Sequence, residues 1–317
     1  MNPRELLHAL VAAVEAGRPC ALCTVVGTRG STPQTAGAML VLEADGRSIG
    51  TIGGGCVEAE VRRRALALVQ AGSSSLLSFV LNHDYGWDDG LICGGRLDIA
   101  VVCYQRVAEL GDVHAAIEQI ERQQMARLPL RVADEGRTVQ YSVNIEPTPT
   151  LLIAGAGHVG AALAGLAAGL NFRVVVVDDR ADLLGPDRLP AGCVAVAGDI
   201  AESLRGWPID ANTYVVIVTR GHAHDEQALN AVIDSPARYL GMIGSRRKVK
   251  LIFDDLEQLG VPREKLDRVH SPIGLKIGAV TVPEIAVSIA AELVAVRRSE
   301  AFQAVEGPVE IGGPPPQ

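Results

Sequence analysis

The chain has 317 residues, of which 48% are hydrophobic and 21% charged, and these proportions are typical of a globular protein. The net charge of −8 argues against nucleic acid as a partner, because nucleic-acid-binding domains are as a rule basic. No apolar run reaches membrane-spanning length, and the first residues lack a signal-peptide pattern. The sequence therefore predicts a cytoplasmic protein that does not insert into membranes.

Residues 1–145 predict a first α/β domain. Its elements follow the hydrophobic periodicity and the turn residues. In chain order they are an N-terminal amphipathic helix, a strand at 21–26, a hairpin turning at Asp45-Gly46, a helix from Val57 to Gln70, two further strands (SLLSFVL and LDIAVVCY), another helix, and a hairpin at PLRVADEGRTVQYSV.

The cysteines of this domain do not indicate a disulfide scaffold, because six in the whole chain are too few. Cys20 and Cys23 form a CxxC pair inside CALCTVV, a predicted strand. Residues three apart on a strand point to opposite faces. We therefore favour two free buried thiols over a metal or redox pair at these positions.

A change of pattern marks a second domain. EPTPT, residues 146–150, has two prolines in five residues and predicts a linker. From 151 to 300, short apolar strands alternate with helices, which predicts a doubly wound parallel sheet of the Rossmann type. The sequence predicts a disordered tail at 301–317.

A G-x-G-x-x-G motif opens this second domain. Gly155, Gly157 and Gly160, with His158 between them, follow an apolar strand and begin a helix, and Asp178 ends the next strand at the expected distance of ~20 residues. The pattern predicts a nucleotide pyrophosphate over the turn and a ribose hydroxyl on Asp178. An acid there favours NAD over NADP, although the arginine two positions later leaves that choice open. A purely architectural glycine turn is the alternative.

Two more loops are predicted at the same edge of the sheet, where ligands bind in such folds. His222 and Asp225 could act as acid–base or metal groups, or Asp225 could simply cap the next helix. Ser245 and Arg246, with the two basic residues that follow, could hold an anionic group, or could form a solvated turn.

The first domain contains an unusual glycine run. Gly54 and Gly55 lead into Cys56, at the start of the predicted helix. A thiol at a helix N-terminus is expected to have a lowered pKa, and the glycines leave the backbone open to a large ligand. This arrangement suits an anionic or sulfur-bearing ligand.

Two further loops have similar chemistry. Ser31 lies in the small, hydroxyl-rich loop GSTPQ, and Cys93-Gly94 places a second thiol beside glycines. A cysteine next to glycines twice in one domain is more suggestive than either alone. The alternative is a turn glycine beside a small buried cysteine at each place, and no His/Asp partner at motif spacing supports protease-like nucleophilic catalysis.

Taken together, these segments resemble the xanthine dehydrogenase accessory factor family (XdhC/CoxI). The resemblance extends from about residue 5 to residue 298. The matching segments are GSTPQTAGAMLV, GGGCVEAEV, LICGG, LLIAGAGHVG, VVVVDDR, VTRGHAHD, YLGMIGSRRK and PIGLKIGAVTVPEIAVSIAAELVA.

The resemblance implies an N-terminal XdhC-like α/β domain, a C-terminal Rossmann domain and a chaperone role. Such a protein would bind molybdenum cofactor (molybdopterin), assist its sulfuration and insert it into the large subunit of a molybdenum hydroxylase. A cysteine desulfurase would be a second partner, and a homodimer is expected. By matching position, Ser31, Gly54-Gly55, Cys56 and Cys93-Gly94 would hold this ligand, and the two thiols would contact molybdenum or its sulfur.

Two positions depart from the family pattern: Lys276 stands where an acid is common, and Gly53 where a serine is common. Two other functions remain open on the residues alone. One is an NAD(P)-dependent oxidoreductase that uses the second domain for hydride transfer. The other is a regulatory protein in which NAD(P) binding controls release of the molybdenum cofactor.

Overall fold

The structure, a computed structural model, describes residues 2–81, 95–299 and 304–311. The chain forms two compact units that divide between Pro147 and Thr148, inside the predicted linker. The described residues 304–311 belong to the first unit, although they follow the second unit in the sequence.

The first unit is a mixed α/β domain. Its described elements are α1 (Pro3–Glu15), β1 (Cys20–Arg29), β2 (Met39–Glu43), β3 (Ser48–Gly50), α2 (Cys56–Ala71), β4 (Ser75–Val80), β5 (Arg96–Tyr104), α3 (Gly111–Glu121), β6 (Ala126–Asp134), β7 (Arg137–Ile145) and, from the C-terminal end, β13 (Val305–Glu310). These strands form one sheet in the order β13-β7-β6-β4-β5-β1-β2-β3. Its neighbours pair antiparallel, except for a parallel bridge between β4 and β6.

Helices pack on both faces of this sheet. Leu7 of α1 and Val113 of α3 lie in one core with Cys20, whereas Val57 of α2 lies in a second core with Cys23. The two cysteines of the CxxC pair therefore point to opposite faces of β1, as the strand period predicts. Burial raises the pKa of both thiols, because desolvation disfavours the thiolate.

The C-terminal segment differs from the sequence expectation of a disordered tail. Val305–Glu310 forms the edge strand β13, which pairs antiparallel with β7. Glu306 accepts hydrogen bonds from Arg127 at 2.6 Å and from Asn144 at 2.9 Å. The paired residues of β13 and β7 are more than 160 residues apart in the sequence, so no local pattern could predict the pairing.

The second unit is a Rossmann-type domain. Its described elements are β8 (Thr150–Ala154), α4 (His158–Gly169), β9 (Arg173–Asp178), β10 (Val194–Ala197), α5 (Ile200–Gly206), β11 (Thr213–Ile217), α6 (His222–Val232), β12 (Tyr239–Met242), α7 (Arg246–Gln258), α8 (Arg263–Asp267) and α9 (Val282–Ser299). The strand order is β10-β9-β8-β11-β12, and every pair is parallel.

This order places a topological switch point between β8 and β11. From β8 the chain adds β9 and β10 on one side, and it then returns to add β11 and β12 on the other side of β8. Helices α4 and α9 cover one face of the sheet, and α5 to α8 cover the other. The strands are buried on both faces, which explains their continuous apolar sequence. Within the described part of the chain, no helix is long and apolar enough to span a membrane.

Candidate functional site

The loop that carries Ser31 packs against two glycine positions of the first unit, Gly95 and Gly53. A methyl group on Gly95 would lie 2.2 Å from the carbonyl oxygen of Ser31. A methyl group on Gly53 would lie 2.9 Å from the ring of Pro33. The loop that carries Ser31 therefore contacts both glycine segments, which the sequence had only shown to be chemically similar.

The second of these segments, residues 53–56, is called the cradle below. Gly55 is the N-cap residue of α2 with a φ of 70°, and Cys56, which is partly exposed, is the first residue of the helix. The sequence predicts this position for the thiol. The peptide N–H groups of the first helical turn point toward the cradle, so its electrostatic potential favours an anion.

Glu58, in the first turn of α2, holds the residues that lead into the cradle. Its carboxylate accepts a hydrogen bond from the hydroxyl of Thr51 at 2.7 Å and one from the backbone N–H of Ile52 at 3.4 Å. The carboxylate thus turns back toward the loop that precedes α2. Its partners precede the cradle, so it does not form a capping box with the N-cap residue Gly55.

Gly54 differs from its neighbours in having no structural need to be glycine. Its φ lies outside the left-handed region, and no heavy atom of the described residues lies within 4 Å of the place where a Cβ would be. The missing side chain therefore leaves open space beside Cys56. The backbone is therefore accessible to a bulky ligand at this position.

Cys93 and Gly94, the other predicted thiol and glycine, lie outside the described residues. Gly95, which follows them, is buried and packs on the Ser31 loop. Their predicted contact with the ligand therefore stays a prediction.

The glycine turn of the second unit, residues 155–160, lies at the switch point. Gly155 has a φ of 112°, and a methyl group there would lie 2.6 Å from the carbonyl oxygen of Val218, beyond the end of β11. A methyl group on Gly160 would lie 1.9 Å from the carbonyl oxygen of Gly155. Both glycines are thus required by close packing, as the fingerprint predicts.

Gly157 has no such requirement. It is the N-cap residue of α4 with a φ of −62°, and no heavy atom of the described residues lies within 4 Å of its Cβ position. The exposed His158 begins the helix. The middle of the turn is therefore open toward the helix N-terminus, where a pyrophosphate binds in such folds.

Asp178 differs from the sequence expectation. It ends β9 with only 1% of its side chain exposed. One carboxylate oxygen accepts from the backbone N–H and the Nε of Arg180, both at 2.9 Å. The other accepts from the N–H of Ala156 at 2.6 Å and from Nη2 of Arg180 at 2.9 Å. These four donors fill the lone-pair positions of a carboxylate, so none remains for a ribose hydroxyl.

The electrostatic consequence is that Asp178 stays ionised. Burial alone would raise its pKa, but the hydrogen bonds from Arg180 and Ala156 lower the pKa to about 2. The carboxylate therefore holds the N–H of Ala156 in the glycine turn. On the other side of the same residue, Nη2 of Arg188 lies 3.4 Å from the carbonyl oxygen of Ala156.

Asp225 has partners other than the predicted histidine. It is fully buried and accepts from the N–H of Thr219 at 3.1 Å, from the hydroxyl of Thr219, and from the ammonium group of Lys248. His222 is exposed at the start of α6. The carboxylate thus joins the loop after β11 to the first turn of α7, and its partners among the described residues are a threonine and a lysine.

The sequence missed this ion pair because Asp225 and Lys248 are 23 residues apart and lie on different helices. Ser245, predicted to contact an anion, is the N-cap residue of α7 and accepts from the N–H of Lys248 at 3.3 Å. Arg246 is exposed. The structure therefore gives Ser245 a capping role and leaves Arg246 accessible at the carboxyl edge.

Comparison with known proteins identifies two family models along the chain. One, described as the XdhC Rossmann domain, matches residues 151–293, and the other, described as the XdhC and CoxI family, matches residues 13–80. The matches occur in the same order as the two units.

Three curated relatives match most of the chain. "Uncharacterized protein YqeB" of Escherichia coli K12 is 31% identical over 282 residues, covering 89% of this chain and 44% of that protein. The chain thus spans under half the length of this relative. A protein of Bacillus subtilis, named as a probable xanthine dehydrogenase subunit, is 27% identical, with 94% of this chain and 98% of the relative covered. "Molybdenum cofactor insertion chaperone PaoD" of Escherichia coli K12 is 26% identical, with 93% and 88% covered.

A solved structure has the same fold. A crystal structure described as a xanthine dehydrogenase from Bacillus halodurans superimposes with a TM-score of 0.80 at 22% identity. The match covers 95% of this chain and 97% of that one.

Proposed function

Since the chain belongs to the XdhC and CoxI family, we propose that it is an accessory factor that binds molybdenum cofactor and inserts it into a molybdenum hydroxylase such as xanthine dehydrogenase. Two relatives support this role by their names, one as a molybdenum cofactor insertion chaperone and the other as a probable xanthine dehydrogenase subunit. The cofactor is the cargo in this proposal, and the chain binds it, shields it and releases it.

The observation that carries the proposal is the packing of the Ser31 loop beside the open backbone of the cradle. The Ser31 loop contacts Gly53 and Gly95, while Gly54 leaves open space next to Cys56. Backbone N–H groups at the start of α2 would hold the phosphate of the pterin. Cys56 and Cys93 would contact the molybdenum or its sulfur, since thiolates are good ligands for soft metal–sulfur centres.

A finer part of the proposal concerns sulfur. A thiol next to the bound cofactor would assist its sulfuration, with a cysteine desulfurase as the sulfur donor. We further propose a homodimer in the cytoplasm.

The second unit would bind a nucleotide at residues 155–160. Open space at Gly157 and the N-terminus of α4 support this part, because no local packing explains a glycine there. The nucleotide would be NAD(P) or the nucleotide part of an extended molybdopterin.

The contacts of Asp225 disfavour the rival oxidoreductase. Hydride transfer with acid–base assistance needs a proton-transfer group within reach of the substrate. The sequence offered His222 with Asp225, but that carboxylate is fully buried against Thr219 and Lys248. It is therefore not placed to orient the histidine.

Anaerobic binding of molybdenum cofactor to the full chain tests the proposed function. Molybdenum content and pterin fluorescence would be measured after gel filtration for the wild type, Cys56→Ala and Cys93→Ala. Cys193→Ala, a partly buried thiol of the second unit, is the control. We expect stoichiometric binding to the wild type and the control, and at least about tenfold weaker binding to one of the cradle-side variants.

The other outcomes are equally informative. Binding that neither cradle-side substitution weakens would contradict the thiol contacts and move the site to the second unit. No binding to the wild type would contradict the accessory function itself.

A further inference from the structure

The end of β9 presents an arginine where a nucleotide-binding fold of this type usually presents a carboxylate. In NAD-binding Rossmann domains the acid at this position accepts hydrogen bonds from the ribose hydroxyls. Here the carboxylate of Asp178 is buried, and its acceptor positions are filled by Ala156 and Arg180. The ribose must therefore be recognised by another group.

Arg180 lies between the buried carboxylate of Asp178 and solvent. Its side chain is 33% exposed and bonds Asp178 through Nε and Nη2. A guanidinium group has five N–H donors, and Arg180 uses two of them to bond Asp178. Three donors therefore remain for a ligand. The group available to a ribose is thus a cationic donor, and a cationic donor is suited to a phosphate.

Two carboxylates besides Asp178 lie near Arg180, and neighbouring cations or solvent offset their charges. Asp179 lies 3.8 Å from Nε of Arg180 but is itself paired with Arg220 at 2.6 Å. Asp182 lies near Arg180 but is exposed to solvent, so its charge is screened. Arg188 adds a third guanidinium group close to Ala156, and its buried Nε makes no hydrogen bond within the described residues.

We propose that the nucleotide site of the second unit takes a ribose carrying a 2′-phosphate, and hence NADP(H) in preference to NAD(H), with Arg180 as the specificity-determining residue. This inference rests on the nucleotide part of the proposed function. It reverses the preference that the sequence indicates from Asp178. Asp178 itself positions Arg180 and the glycine turn, and does not contact the ribose.

Titration calorimetry of the full chain with NADPH and with NADH tests the inference. Adenosine 2′,5′-bisphosphate and adenosine 5′-monophosphate are the matched smaller probes. We expect the wild type to bind the 2′-phosphorylated member of each pair about tenfold or more tightly, as a charge-assisted hydrogen-bond pair is worth at least that factor. The preference should fall as salt is added.

Arg180→Ala should lose this preference, and Arg180→Lys should keep part of it, since the charge remains without the forked geometry. The affinity for NADH is the internal control, because a disturbed glycine turn would weaken both ligands alike. Arg205→Ala, which removes an exposed arginine from the last turn of α5, should leave both affinities unchanged.

Three results would overturn the inference. Equal or tighter binding of NADH would reject it while leaving the nucleotide site in place. A preference for NADPH that survives Arg180→Ala would reject the role of Arg180. Failure of all four ligands to bind would reject the nucleotide part of the proposed function as well, but not the molybdenum cofactor site, which is measured separately.

Discussion

Each unit places a glycine-rich turn between a strand and a helix, but the two turns are held by different forces. The cradle of the first unit is packed against an uncharged neighbour, with Gly53 against the ring of Pro33. The turn of the second unit is held by charges: Asp178 bonds the N–H of Ala156, and Arg180 bonds Asp178.

The difference concerns how each turn responds to a ligand. A turn held by a buried ionic network is preorganised, because its donors and acceptors are already oriented. A turn held by packing and by the single carboxylate of Glu58 can adjust by small shifts of neutral side chains. The first suits a ligand of fixed shape, such as a dinucleotide, and the second suits a bulky cargo that must be released.

The largest expected effect comes from adding a methyl group to a glycine that packs against a backbone carbonyl oxygen. Gly160→Ala should destabilise the second unit by about 3 kcal/mol or more, because the new Cβ would meet the carbonyl oxygen of Gly155. Fluorescence of Trp207 in a Trp87→Phe background reports on this unit alone, since the chain has two tryptophans. Gly165→Ala, at an open position of the same helix, should be neutral or slightly stabilising.

The same change in the first unit sharpens the comparison. Gly95→Ala should lower the melting temperature of that unit in calorimetry, because its Cβ would meet the carbonyl oxygen of Ser31. We expect a smaller loss than for Gly160→Ala, about 2 kcal/mol, since a neutral loop can shift. An equal or greater loss would show that the Ser31 loop is as rigid as the glycine turn of the second unit.

Removal of the buried charge of Asp225 in the second unit should have an effect of similar size. Asp225→Asn should cost about 2–3 kcal/mol, because it breaks a buried ion pair whose lysine is only one quarter exposed. Urea unfolding followed by Trp207 fluorescence would measure the loss. The control is Asp234→Asn, which breaks a solvent-exposed pair with Lys265 and should cost at most about 0.5 kcal/mol. Equal costs would mean that burial adds nothing to the Asp225 pair.

The pH dependence of stability in Asp178→Asn tests whether the ionised carboxylate stabilises the glycine turn. The pKa of Asp178 is lowered from 3.8 to about 2 in the folded state, so its contribution is present above the unfolded value and is lost as the pH falls. The shift corresponds to about 2 kcal/mol at neutral pH. The stability gap between wild type and variant should therefore shrink between about pH 4 and pH 2.

The matched control for that experiment is Asp179→Asn, which removes a neighbouring carboxylate that is one third exposed. Its effect should be under about 1 kcal/mol. A gap for Asp178→Asn that does not change below pH 4 would indicate that the carboxylate does not carry the stabilisation.

The smallest expected effect belongs to the cradle. Glu58→Ala should destabilise the first unit by about 1 kcal/mol, because Thr51 and the N–H of Ile52 lose their acceptor. Calorimetry of the full chain would measure it. Glu60→Ala, which breaks surface pairs with Arg63 and Arg64 in the same helix, should cost less. If the order were reversed, Glu58 would not be the group that holds the residues leading into the cradle.

Much of the fold could be predicted because its signals are local. The alternation of apolar strands and helices predicts the parallel sheet of the second unit, and the Asp45-Gly46 turn predicts the β2–β3 hairpin. The position of Cys56 at the start of α2 follows from the glycine run and the helical period. The opposite faces of Cys20 and Cys23 follow from the strand period alone.

The candidate site was predictable only in part. The glycines of residues 155–160 could be assigned, because each sits at a fixed distance from a strand end and a helix start. The hydrogen bonds of Asp178 could not be predicted. An acid at the right spacing has the same sequence pattern whether its carboxylate is open to a ligand or already occupied by protein donors. Arg180 was visible in the sequence, but its bonds to Asp178 depend on side-chain geometry.

The sequence by itself determined the two-unit organisation, the element order, both glycine turns and the thiol at the helix start, because these depend on periodicity, turn residues and neighbours within a few positions. Tertiary structure alone decided that Ser31 meets Gly53 and Gly95, that Asp225 pairs with Lys248, that Asp178 is closed to a ribose and that β13 joins β7. The physical reason is distance along the chain. Hydrogen bonds and ion pairs between segments that are far apart in sequence form only once packing brings their backbones together, and burial then makes those contacts strong.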